Sequence, residues 1–168
     1  MKREEALSLL RKVDCPENVI DHCICVSEKA LSMATRLGER IPVDIKLIEI
    51  GGLLHDIGRS MTHSIDHGVV GARILKEEGV CLPLQLICER HVCAGIPKRV
   101  AEKIGLPPRD YIPLTMEEKL VCHADNLSNH TLEELRIAWK TFFNGDNGKI
   151  LVDLLDQLHV ELEGYMGT

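Results

Sequence analysis

Aromatic side chains are scarce in this chain: Tyr111, Trp139, Phe142, Phe143 and Tyr165 make up 3% of its 168 residues. A core without rings has to be filled by Leu, Ile, Val, Ala and Met, a composition that favours helices over sheets. The same scarcity removes the stacking platforms of single-strand nucleic-acid binders. Positive charge is also short, with 20 Lys and Arg against 26 Asp and Glu. The resulting net charge of −6 argues against a general electrostatic grip on nucleic acid. No apolar run approaches the length needed to span a membrane. The opening "MKREEALSLLRKV" has none of the marks of a secretory leader, so the expected location is cytoplasmic. Sustained strand alternation, internal repeats and linkers are absent too. The expectation is an all-α helical bundle forming one domain over residues 1–168.

Seven cysteines, Cys15, Cys23, Cys25, Cys81, Cys88, Cys93 and Cys122, form no C-x-x-C pair. Several fall on apolar stripes, where a thiol acts as a small hydrophobe. They read as reduced structural residues rather than a zinc site or a disulfide framework. Cys93, two residues after His91, is the one to watch.

The chain divides into successive helices with short polar or Pro/Gly breaks. After the N-terminal helix, Pro16 suits a first turn, and Val19, Cys23, Val26, Ala30, Met33 and Leu37 follow at helical spacing. "GERIP" stops that helix at Gly38. Asp44 is a candidate N-cap for a helix to about Ile57. Further helices are expected from Ser64 to Gly79, from Pro83 to Val92 and from Lys98 to Ile104. Thr115 with Glu118, and Thr131 with Glu134, each carry the capping-box spacing ahead of an apolar run. A last helix spans about Asn147 to Tyr165.

"IEIGGLLHDIGRS", residues 48–60, is the anomaly. Gly51 and Gly52 weaken a helix by roughly 1 kcal/mol each relative to alanine, one turn before His55 and Asp56. Other histidines also sit on apolar faces: His22 between Val19 and Val26, His67 ahead of Val70 and Ile74, and His91 behind Ile87 and Cys88. Asp125 follows Val121 by one turn. Any one of these reads most simply as a hydrogen-bonded core residue. Taken together, four imidazoles and two carboxylates from five inward faces make a costly core unless something satisfies them in common. A divalent metal does so, and imidazole with carboxylate suits Mn, Fe, Co, Ni or Zn. The glycines would then let a neighbouring helix come close to the ligands, with Gly58 ending the helix and turning Arg59 outward.

The order His22 … His55-Asp56 … Asp125 resembles the H…HD…D signature of the HD-domain metal-dependent phosphohydrolase superfamily. "HDIGRS" is similar to its HD-I-G subgroup and "HSIDHGVVGARIL" to the helix that follows. The resemblance covers residues 16–129, with helices at 131–165 expected to pack on that region, and looks most like small stand-alone prokaryotic HD proteins. It implies that His22, His55, Asp56 and Asp125 bind one metal. His67 and His91 match the extra histidines of members with two, where the aspartate of the pair bridges both ions. With one ion, His67 and His91 would instead be substrate ligands or core residues. No G-Y-P motif follows His91, which argues against cyclic-dinucleotide cleavage of that subtype.

The implied activity is hydrolysis of a phosphate ester or anhydride of a small nucleotide-like substrate, with a hydroxide held by the metals as nucleophile. Asp56 would orient that nucleophile, and Arg59 would hold phosphate oxygens. His63 is a candidate proton donor to the leaving group, or a surface loop residue. Lys98 heads a candidate substrate-binding patch with Arg99, Lys103 and Arg109, most of which reads equally as a solvated face. Asn126 and Asn129 neighbour Asp125, whereas His123, His130 and His159 read as structural or surface residues. "GVVGAR" lacks a preceding strand, so a dinucleotide-binding reading fails. Two other functions fit the same ligands: a di-iron oxygenase, and a non-catalytic metal- or nucleotide-binding module. Nothing in the sequence distinguishes a monomer from an oligomer.

Overall fold

The computed structural model describes residues 1–38 and 41–167. Nine α-helices account for the regular structure among these residues: α1 (Arg3–Lys12), α2 (Glu17–Leu37), α3 (Ile45–Leu54), α4 (His67–Glu77), α5 (Leu82–Arg90), α6 (Lys98–Lys103), α7 (Met116–Asn126), α8 (Leu132–Phe143) and α9 (Gly145–Met166). Extended pairing among the described residues is limited to isolated bridges, Cys93 with Gly95 and Ile96 with Tyr111. No described helix is long and apolar enough to cross a membrane.

Local chemistry accounts for most helix ends. Asp44 accepts a hydrogen bond from the Leu47 N–H, and Gly38 closes α2 at φ 62°, a conformation open to glycine at little cost. Of the "GERIP" stop, Glu39 and Arg40 lie outside the described residues. The Thr131–Glu134 capping box is complete in both directions. At α7 only half of the expected box forms: Thr115 Oγ1 accepts from the Glu118 N–H, but the Glu118 carboxylate is committed elsewhere. Both its oxygens accept from Arg90 Nη1, at 3.1 and 3.0 Å, and one also accepts from the Leu114 N–H at 2.8 Å. This buried ion pair ties the end of α5 to the start of α7.

Two apolar clusters fill the interior. One gathers Ala6, Leu10, Ile20, Cys23, Leu53, Leu54 and Leu75 around α1, α2 and α3. The other gathers Val26, Ala30, Ile48, Leu120, Val121, Leu151 and Leu155 around α2, α7 and α9. Helix α2 contributes to both, and its two apolar sides explain its length. Tyr111, the most buried of the scarce rings, donates its hydroxyl to the Pro107 carbonyl.

The third helix is shorter than its pattern suggests. It ends at Leu54, and residues Ile57–Ser60 form a separate 3-10 turn. The following helix begins at His67 rather than Ser64, and α9 begins at Gly145, directly after Asn144 at φ 49°. Close backbone approach is the reason for a glycine at position 58 in this turn. A Cβ there would lie 1.9 Å from the His67 carbonyl oxygen and 2.7 Å from the Gly71 nitrogen. Gly58 therefore seats the 3-10 turn against the backbone of α4; it does not end α3, as its place in the sequence suggests. Gly52 does the same for α2, where a Cβ would fall 2.6 Å from Ser27 Cα, whereas one on Gly51 would meet only the Ile87 side chain, also at 2.6 Å.

These contacts rank the glycines. Gly58→Ala has no flexible neighbour to displace and should cost about 3 kcal/mol or more. Gly51→Ala should fall within about 1 kcal/mol of the parent, because Ile87 can move and alanine gains helix propensity. Urea unfolding of both variants checks the order, and equal losses would contradict it. Thiol accessibility gives a second expectation: Cys25 and Cys81 are exposed, Cys93 is half-buried, and the other four are buried. Burial pushes Cys15 and Cys93 up to about 12 and raises Cys88 and Cys122 well above the usual thiol range. Titration of the native protein with a thiol reagent should find Cys25 and Cys81 reacting fast, and the full seven only after denaturation.

Candidate metal centre

The ligand-type side chains come from helix ends, and the helix ends orient them. His55 caps the C-terminus of α3, and its Nδ1–H donates to the Gly52 carbonyl at 2.7 Å. His91 caps α5, and its Nδ1–H donates to the Cys88 carbonyl at 2.7 Å. Both carbonyls lie in a last helical turn, where no intrahelical partner exists. His67, the first residue of α4, uses the Ser64 carbonyl in the same way at 2.8 Å. With Nδ1 engaged in all three, Nε2 is the ring atom left to act as a donor to an ion when the ring is neutral. All three Nε2 atoms point to one place.

There they meet two carboxylates. Asp56 Oδ1 lies 3.2 Å from His67 Nε2 and 3.5 Å from His91 Nε2, while its Oδ2 lies 3.9 Å from His22 Nε2. Asp125 Oδ1, reaching in from α7, lies 2.9 Å from His22 Nε2 and 3.5 Å from His55 Nε2. His67 and His91 face each other Nε2 to Nε2 at 3.1 Å. The two oxygens of Asp56 thus face different histidines, with His22, His55 and Asp125 on one side and His67 and His91 on the other.

The arrangement fits a divalent cation on three counts. The His55 Nε2 atom is buried with no hydrogen-bond partner, an arrangement that costs free energy unless a ligand uses the lone pair. His67 Nε2, His91 Nε2 and Asp56 Oδ1 lie in mutual contact at 3.1–3.5 Å, three atoms of ligating type around one point. Finally, metal–ligand bonds of about 2.0–2.2 Å put neighbouring donor atoms roughly 3.0–3.5 Å apart, and five of the six contacts here run from 2.9 to 3.5 Å, the sixth, His22 to Asp56, being 3.9 Å. Two clusters of donor atoms, His22–His55–Asp125 and His55–Asp56–His91, are each close enough to hold an ion.

Electrostatics keeps the two carboxylates charged and His67 neutral, whereas His55, despite the opposing effect of its burial, is raised well above its ordinary value by Cys23 and Asp125. Burial works to raise the Asp56 pKa, but contact with His91 and the neighbouring charges of His55, His91 and His67 hold the carboxyl well below its ordinary value. Asp125 is lowered likewise by His22 and His55, against the effect of its burial. His67 is pushed down to about 4 by burial and by His91, so its imidazole is neutral at physiological pH.

A cavity of about 330 Å³ opens over these groups. Arg59 lines it, with Nε 3.3 Å from both Asp56 oxygens and Nη1 donating to the His63 carbonyl at 3.0 Å. Two sequence candidates are not brought there. The His63 side chain is exposed and only its backbone supports Arg59. Lys98 is exposed, pairs with Glu102 at 4.0 Å and lies outside the cavity wall. The rest of the basic patch is dispersed as well, with Arg109 paired to Glu89 and Lys103 near Asn147. Cys93 lines the cavity, but its raised thiol stays protonated. It sits at φ 58°, and its carbonyl accepts from Asn126 at 2.7 Å, so the residue shapes the loop after His91. Sequence reasoning missed Trp139 and Leu135 on α8, and left His130 as a structural or surface residue; all three line the cavity. The one available signal was the short connection from Asp125 to the Thr131 cap.

Comparison with known proteins identifies the family and the fold. Residues 19–130 match the HD domain family. The chain is 56% identical to protein MJ0778 of Methanocaldococcus jannaschii over 128 residues, 76% of this chain and 75% of that one. It is 43% identical over 124 residues to the tRNA (cytidine(56)-2'-O)-methyltransferase of Picrophilus torridus, covering 74% of this chain and 35% of the relative. Among solved structures, the HD domain of the L. monocytogenes phosphodiesterase PgpH, in complex with cyclic-di-AMP, superposes with a TM-score of 0.56 at 18% identity over 94% of this chain and 96% of that one. That likeness extends the agreement to the whole helical arrangement. With a matched region that contains every residue of the cage, the chain belongs to the HD domain family.

Proposed function

We propose that this chain is a metal-dependent phosphohydrolase acting on a phosphate ester or anhydride of a nucleotide-like substrate. The observation that carries the reading is the cage itself: four histidines and two aspartates converge beneath a cavity whose rim holds one arginine. His22, His55, Asp56 and Asp125 would hold one ion, and His67 and His91 with the second oxygen of Asp56 would hold another. Bound divalent ions supply the acidification of water and the polarisation of a phosphoryl oxygen that such hydrolysis needs.

The remaining work falls to the chain. Asp56 keeps its charge because its neighbours hold its pKa down, and its two oxygens keep the two halves of the cage in register. Arg59 uses Nε on Asp56 and Nη1 on the His63 carbonyl, which leaves Nη2 to bind a phosphoryl oxygen by a charge-assisted hydrogen bond. The PgpH domain, whose ligand is cyclic-di-AMP, supports a nucleotide-like substrate. The methyltransferase relative, named for a tRNA, keeps an RNA end within that class.

Purified chain reconstituted with Mn, Fe, Co, Ni or Zn should hydrolyse at least one member of a panel of nucleoside monophosphates, cyclic nucleotides, dinucleoside polyphosphates and short oligoribonucleotides. Asp56→Ala should lose that turnover by about 100-fold or more while keeping its helical circular dichroism; unchanged turnover would overturn the reading. An iron-loaded protein that consumes dioxygen and hydrolyses nothing would overturn it equally. Metal analysis should find between about one and two equivalents per chain. His91→Ala should remove about one equivalent if two ions are held, and a full complement in that variant would exclude His91 as a required ligand.

A further inference from the structure

The cavity has two unlike halves. The cage and Arg59 form one of them. The other is a wall of Ile65, Val92, Leu135 and Trp139, with Asn129 and His130 beside it. Phosphoryl chemistry has no use for this second half. Leu135 and Trp139 both come from α8, which lies beyond the region matched to the HD family, since that region stops at residue 130.

This half is a built surface. The chain between α7 and α8 is pinned at both ends: the Ser128 N–H and Oγ both reach the Asp125 carbonyl, at 3.0 and 2.7 Å. Immediately after His130, the Thr131–Glu134 box fixes the entry to α8. Asn129 and His130 are exposed, and neither side chain is hydrogen-bonded within the described residues. Helix α8 is backed by α9, where Arg136 pairs with Asp156 at 2.7 Å and Gly148 lets the two backbones approach at Trp139 and Lys140. Trp139 is consequently 9% exposed, and it contributes to the cavity wall.

We infer that α8 and the turn before it form a base-binding subsite, which takes one nucleotide unit with its phosphate on the Arg59 side. This inference rests on the phosphohydrolase reading for the phosphate half alone. A nucleobase is flat and apolar on its faces and has donors and acceptors on its edge. The wall supplies Leu135 and Trp139 for the face, and Asn129 and His130 for the edge. An alkyl phosphate would cover both polar groups without replacing the water they lose. A volume of about 330 Å³ is near the lower end for small-molecule sites and suits a single nucleotide. The unit has two sources, a free mononucleotide or the terminal residue of an RNA strand.

Trp139 is the only tryptophan of the chain, so intrinsic fluorescence reports this wall directly. Metal-loaded full chain would be titrated with the four nucleoside 5′-monophosphates, an RNA dinucleotide, ribose 5-phosphate and inorganic phosphate. A saturable change with at least one monophosphate, and none with ribose 5-phosphate or phosphate, supports a mononucleotide subsite. A change with the dinucleotide alone supports the same subsite filled from a strand. No response to any nucleotide, or an equal response to ribose 5-phosphate, overturns it. Because Trp139→Leu risks misfolding, the double variant Asn129→Ala/His130→Ala, made at exposed positions, gives the second measurement. Its nucleotide affinity should fall by about tenfold, and unchanged affinity overturns the assignment. Fluorescence change in a protein that hydrolyses nothing would keep the subsite and remove the enzyme; turnover without it would do the reverse.

Discussion

Three N–H···O=C bonds, each from a histidine Nδ1 to a carbonyl three residues earlier, are the constraint on which the rest of this structure depends. They fix the ring orientation of His55, His67 and His91, and so direct three Nε2 atoms into a space that also holds two aspartates. An imidazole free to turn would find its own hydrogen bond and leave the cage. For His55 and His91 the helix ends remove that freedom, using carbonyls that a helix terminus leaves open in any case, and for His67 the Ser64 carbonyl in the turn before α4 does so. The same economy is seen at the ends of α3 and α5, each of which stops on a histidine of the cage that also caps it.

Helices carrying these ligands must also be held at the right separation, and polar contacts do much of that. Arg90, one residue before His91, is locked to Glu118 on the helix that bears Asp125. Cys122 and Asn126, on the same helix, reach the carbonyls of His91 and Cys93. An ion pair this buried adds little net stability on average, but breaking it leaves an uncompensated charge. Its contribution is to geometry, since it fixes the end of α5, next to His91, against the start of α7, two turns before Asp125.

Much of this was legible in the sequence, and for physical reasons. Helical phase placed His22, His55, His67, His91 and Asp125 on inward faces because burial follows a period of 3.6 residues. Asp44 and Thr131 were readable as caps because capping is decided within one turn. What escaped was tertiary. Glu118 has the spacing of a capping-box partner, yet it is drawn away by Arg90, which is 28 residues distant in the chain. Gly58 looks like a helix stop, although its role is set by the backbone of α4. Lys98 and His63 follow ligands closely in sequence but diverge from them in space. Trp139 and His130 gave no periodic or motif signal connecting them to the cavity, because their place follows from how α8 leans on α9.

The seat of Gly58 against α4 has one more consequence. Two backbones in contact, without side chains between them, set the distance between the turn that carries Asp56 and the helix that carries His67. That spacing is a property of peptide geometry: it requires glycine at 58 and 71, and does not depend on the side chains mounted at Asp56 and His67. The cage side chains and their scaffold are therefore separable variables: Asp56 or His67 can be exchanged while the ruler that spaces their backbones stays the same.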